Sequence, residues 1–60
     1  MDALILYLDE GQVHSLMLNY VGSISYSDLH GDRYIVIRDT YESKLKEFET
    51  RRIISITITT

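Results

Sequence analysis

The residues best able to do chemistry are cationic and aromatic. Arg51 and Arg52 are adjacent, and Lys44 and Lys46 precede them by a few positions. Guanidinium pairs recognise phosphates and carboxylates through forked, charge-assisted hydrogen bonds. Arg33 stands beside Tyr34 in a β-branched, aromatic run. An arginine next to an exposed ring is a means of holding a base or nucleotide, by stacking and by charge. The tyrosines at 7, 20, 26, 34 and 41, with Phe48, could extend such a platform. Strands select aromatics for packing as well, so most of these rings are expected in or beside a core, with Tyr34 the exception. The lysines have a plain alternative role, pairing with Glu47 and Glu49 on a solvated face, which adds only about 0–1 kcal/mol per pair.

Other chemistries find less support. His14 and His30 could ligate a metal with Asp28 or Asp32, but a zinc site wants three or four placed ligands. There is no cysteine, so disulfides and thiolate metal sites are excluded. Three isolated glycines cannot form a phosphate-cradling loop. No Ser, His and Asp spacing singles out a triad. The paired carboxylates Asp9-Glu10 sit at a turn, where solvation explains them. A chain of 60 residues also struggles to enclose a dry reaction site. The expectation is a binding protein without catalytic residues, metal or cofactor.

The elements that must position these side chains read as strands. Ala3–Leu8 is apolar throughout and ends at Asp9-Glu10-Gly11, a turn signal. Such a run suits a strand buried on both faces, or one whose outer face meets a partner. Gln12–Tyr20 alternates, with His14, Leu16, Leu18 and Tyr20 on one face. Gly22 predicts a bulge or bend, after which Ile24 and Tyr26 oppose the serines at 23, 25 and 27. His30-Gly31-Asp32 is a turn, and Arg33–Arg38 reads as a central strand. In Ile53–Thr59 the isoleucines at 54, 56 and 58 oppose Ser55, Thr57 and Thr59.

Residues 40–51 carry two patterns. Tyr41, Leu45 and Phe48 fall at helical spacing behind a capping Asp39 or Thr40. The rival is a hairpin turning at Glu42-Ser43, with Lys44–Thr50 returning as a strand and a single 3₁₀ turn at residues 50–52. Spacing alone slightly favours the helix, and the hairpin is taken on the family resemblance described below. The result is one domain, an all-β, five-stranded small barrel of the SH3/Sm-like kind.

Composition sets bounds on partners. The net charge of −3 opposes broad, non-specific nucleic-acid binding. All six basic residues lie in the second half, which leaves a local basic spot on an acidic body. No run is long enough to be a membrane-spanning helix, and no basic leader precedes the first apolar run, so a cytoplasmic protein is expected. The uncharged stretch Ile56–Thr60 lacks proline, a template either for closing the barrel onto Ala3–Leu8 or for pairing with another copy.

The second half resembles the core of the WYL domain, an Sm-like barrel. The resemblance rests on Gly31-Asp32-Arg33-Tyr34-Ile35-Val36-Ile37-Arg38-Asp39 and on Phe48-Glu49-Thr50-Arg51-Arg52-Ile53, within residues 31–58. Arg33 stands where that family has tryptophan, and Arg51 where it has aspartate. The family's mid-domain proline is absent, and so are the DNA-binding helices that usually accompany it, so the likeness is to a free-standing version. It implies a ligand-sensing regulatory module tied to nucleotides, single-stranded nucleic acid or phage-defence regulation. The positions that carry over are Tyr34 and Arg52, with Phe48 packing. Arg33 and Arg51 add positive charge beside them. The competing expectation is a small acidic adaptor or inhibitor, of the kind phages and mobile elements encode, that docks on a protein partner or forms a homo-oligomer.

Overall fold

The computed structural model describes residues 1–29 and 31–59, with Leu29 described by its backbone. Its strands run β1 (Asp2–Asp9), β2 (Gln12–Leu18), β3 (Val21–Leu29), β4 (Asp32–Asp39), β5 (Lys44–Glu49) and β6 (Ile53–Thr59). A single 3₁₀ turn, Thr50–Arg52, joins β5 to β6. The all-β expectation holds. Two antiparallel three-stranded sheets form, in the orders β2-β1-β6 and β3-β4-β5, and they do not close into a barrel among the described residues. Six strands appear instead of five because the long second strand divides at Asn19-Tyr20.

The division is caused by partners distant in sequence. The Tyr20 carbonyl leaves the ladder and accepts from the Thr40 amide at 2.8 Å and the Thr40 hydroxyl at 2.9 Å. The Val21 amide donates instead to the Met1 carbonyl at 2.9 Å. Gly22 follows within a bulge, where the β3–β4 register shifts between Val21 and Ser23. The expected bulge is therefore present, but it lies just past the corner and does not make it.

Turn chemistry fixes the hairpins. Glu10 and Gly11 both take positive φ, 53° and 75°, the pair a type I′ turn requires. Residues 40–43 form a turn, with Ser43 at φ 56°. The buried Asp39 carboxylate accepts from the amides of Tyr41 at 3.0 Å and Glu42 at 3.3 Å. The residue that looked like a helix cap thus caps a hairpin, as Asx turns do. Asp39→Ala is expected to cost about 1–2 kcal/mol of stability, the worth of charge-assisted hydrogen bonds. Asp39→Asn keeps the acceptor and should recover much of it. Thermal melts of the two variants check this, and equal melting points would count against the role.

The core lies between the sheets. Ala3, Ile5, Leu18, Val21, Ile35 and Ile37 are buried, with Tyr7, Leu16, Ile24, Phe48, Ile53 and Ile56 packed around them. Alternation explains most of this set. β6 is the exception, because its register against β1 slips between Leu6 and Tyr7. The slip turns Ile54 outward, to 51% exposed, and brings Ile53 inward opposite Tyr7. The expected grouping of Ile54 with Ile56 and Ile58 is corrected by that one-residue bulge. The first strand is also not buried on both faces: Leu4 and Leu6 are half-buried and Leu8 is exposed. No helix among the described residues is long and apolar enough to cross a membrane.

Candidate functional site

The four residues expected to bind ligand come to one corner of the molecule. Arg33 and Tyr34 start β4, and Arg51 and Arg52 end the 3₁₀ turn. The Tyr34↔Glu49 register holds these two elements side by side. They line two clefts that share Glu49. A cleft of about 280 Å³ is walled by Tyr7, Leu8, Tyr34 and Phe48, with Asp9, Glu47, Glu49 and Arg52 as its charged groups. The other, of about 320 Å³, is lined by Asp32, Arg33, Glu49, Thr50 and Arg51. The structure therefore groups Tyr34 with Arg52, and Arg33 with Arg51.

Each of these guanidiniums already faces a carboxylate. Arg51 Nε donates to Glu49 Oε2 at 2.7 Å. Arg52 lies 3.4 Å from Glu49 Oε1 and 3.4 Å from Asp9 Oδ1. Arg33 lies 3.6 Å from Asp28 Oδ1. The first cleft holds three carboxylates and one guanidinium, whereas the second holds two of each. Positive charge is therefore better exposed in the second. The Arg33–Asp28 and Arg52–Asp9 pairs are open to solvent and worth little, whereas Glu49 holds Arg51 and Arg52 with a side chain only 19% exposed. The Thr50 hydroxyl is buried without a hydrogen-bond partner beside the second cleft, a spare polar group at the site.

The aromatic residues divide. Tyr7 stacks on His14, with centroids 5.5 Å apart, and meets Phe48 at 5.3 Å and 54°. That cluster supports the floor of the first cleft. Tyr34 is half-buried at its wall. Tyr20 and Tyr41 stack 5.1 Å apart at the β2–β3 corner, exposed and away from the clefts, and Tyr26 is exposed. Most of the rings are thus not core. Lys44 pairs with Glu42 at 4.0 Å, and neither it nor Lys46 lines a cleft. His14 is engaged with Tyr7 and Asp28 with Arg33, while His30 lies outside the described residues. Among the described residues, no three of His, Cys, Asp or Glu gather as a metal site.

Glu49 and Asp9 are the members that sequence reasoning missed. Glu49 was legible as a partner for a lysine but not as the shared wall of two clefts. Asp9 reaches Arg52 across 43 positions, and only the β1–β6 register brings them together. Comparison with family models, with curated proteins and with solved structures finds no match for this chain.

Proposed function

We propose that the chain is a non-enzymatic regulatory binding module for an anionic ligand, a nucleotide or single-stranded nucleic acid, resembling a WYL-type domain. The observation that carries this reading is the convergence of Tyr34, Arg52, Arg33 and Arg51 on two adjoining clefts. Tyr34 offers a ring for stacking. The arginines offer forked donors, and a phosphate replaces the carboxylates that now hold them. The continuous strand sequence from β1 to β6 is compatible with an SH3/Sm-like barrel opened at its two sheet-to-sheet corners, which supports the likeness.

Glu49 makes the reading testable in both directions. It competes with any anion for Arg51 and Arg52. Arg52→Ala and Tyr34→Ala should each weaken binding about tenfold or more, since stacking contributes about 1–3 kcal/mol per base. Glu49→Gln should strengthen it about two- to fivefold by freeing Arg51 and leaving Arg52 with Asp9 alone. Calorimetric titration with a panel of mononucleotides and short oligonucleotides measures all three. Binding that Glu49→Gln weakens, or that ignores Arg52→Ala, would sink the proposal.

A second reading, a protein-interaction adaptor or inhibitor, is favoured by a different observation. The outer face of the first sheet exposes apolar side chains and carries no charge between its ends, as a docking surface does.

A further inference from the structure

We propose that the outer face of the first sheet docks against the same face of a second copy of this chain. This rests on the protein-interaction reading and names its partner. Register and alternation define the face. β1 contributes Leu4, Leu6 and Leu8, β2 contributes Val13, Ser15 and Met17, and β6 contributes Ser55, Thr57 and Thr59. Leu8 is 42% exposed, Val13 61% and Met17 53%. The only charge on this parity is Asp2, at the end of β1.

The other sheet shows what this chain does with a face meant for water. The corresponding positions there are Ser23, Ser25, Ser27, Arg38, Glu47 and Glu49, around Tyr34, Val36 and Leu45. One outer face is built for solvent and the other is not. An antiparallel sheet with a solvated face normally alternates apolar and polar residues. β1 breaks that rule along its length.

Four features favour a second copy as the occupant. Copies of a chain with net charge −3 repel, and this face lets them meet without opposing like charges at its centre. Its relief suits an identical partner: the β1 leucines with Val13 and Met17 form the high side of the face, and Ser55 and Thr57 form a low flank on the β6 side. A two-fold axis near Leu6 sets the high side of each copy against the low flank of its mate, an isologous contact. The area also suffices for a weak contact. Strands of about 26 Å, three abreast at about 4.8 Å, present roughly 370 Å², so two such faces bury about 740 Å² in projection, the scale of a weak, concentration-dependent dimer. A chain of this size, with six buried apolar side chains among the described residues and no disulfide, gains the extra burial that small domains often take from oligomerisation.

The test is solution mass by sedimentation over a wide concentration range, beside thermal melts at each concentration. The expected result is a mass that climbs toward twice that of the 7.0 kDa monomer, with a melting point that rises with concentration. Met17→Lys and Leu8→Lys, at exposed positions that leave the core intact, should each raise the dissociation constant about 30-fold or more. Both should keep the wild-type circular dichroism spectrum. Leu45→Lys, exposed on the other sheet, should dimerise normally. A dimer indifferent to Met17→Lys and Leu8→Lys overturns the choice of face. A monomer that retains a protein from lysate through the wild-type face, but not through Met17→Lys, overturns the second copy and leaves the docking reading. A monomer that retains nothing overturns both.

Discussion

Replacing Ile37 by alanine is expected to remove about half of the chain's stability. Among the described residues, Ile37 and Ile5 are the largest side chains with no exposure at all. Ile37 sits mid-strand in β4, between Ile24 on β3 and Lys46 on β5. Truncating a buried isoleucine costs about 2–5 kcal/mol, the transfer term plus the cavity left behind. A chain of 60 residues has roughly 3–9 kcal/mol to lose, at about 0.05–0.15 kcal/mol per residue. Few neighbours are available to collapse into the gap, because among the described residues five other apolar side chains are buried. Ile37→Val removes one methyl and should cost about 0.5–1.5 kcal/mol. Urea titrations followed by circular dichroism, at one protein concentration, separate the two. An alanine variant as stable as the valine one would mean that the core is not centred on Ile37.

Gly22→Ala is the second large effect, and its cause is a single methyl group. A Cβ built at Gly22 would stand 2.6 Å from Thr40 Cγ2. That methyl cannot swing away cheaply, because the Thr40 hydroxyl is held on the Tyr20 carbonyl at 2.9 Å. Either the bulge opens or the corner hydrogen bonds break. Overpacking of this sort costs about 1–3 kcal/mol. Thr40→Ser deletes the methyl and keeps the hydroxyl. In the double variant, Gly22→Ala should therefore cost much less than it does alone. A double-mutant cycle reads this directly. Additive costs would show that the glycine is needed for something other than this close approach.

Local chemistry made most of the strand map legible. Asp9-Glu10-Gly11 forms the expected turn, residues 50–52 form the expected 3₁₀ turn, and alternation places Ile5, Leu16, Leu18, Ile35 and Ile37 inward. Residues 40–51 gave both patterns because Asp39 serves a helix cap and a turn equally well. The hairpin leaves Tyr41 and Leu45 exposed and packs only Phe48, so their helical spacing carried no burial. What stayed hidden depends on distant partners. The corner at Tyr20 is drawn by Thr40, the inward turn of Ile53 by the slip against β1, and the Asp9 pairing with Arg52 by the same register. Of the candidate site, the tyrosine and the arginines were legible from type and neighbourhood. Their division between two clefts, and the carboxylates that oppose them, were not.

The order of pairing has a consequence for biosynthesis. The second sheet is a meander of neighbours and can be complete once residue 49 has been made. The first cannot, because Asp2 pairs with Thr59 and Ile5 with Ile56. Its middle strand is translated first and receives its second partner last. Until then β1 offers a bare edge of amides and carbonyls beside a row of leucines, the surface on which nascent chains aggregate. Asp2, Asp9 and Glu10 bracket that run, and charges so placed act as gatekeepers against misassociation. The acids at the ends of β1 thus guard the growing chain through the interval in which its partner strand does not yet exist.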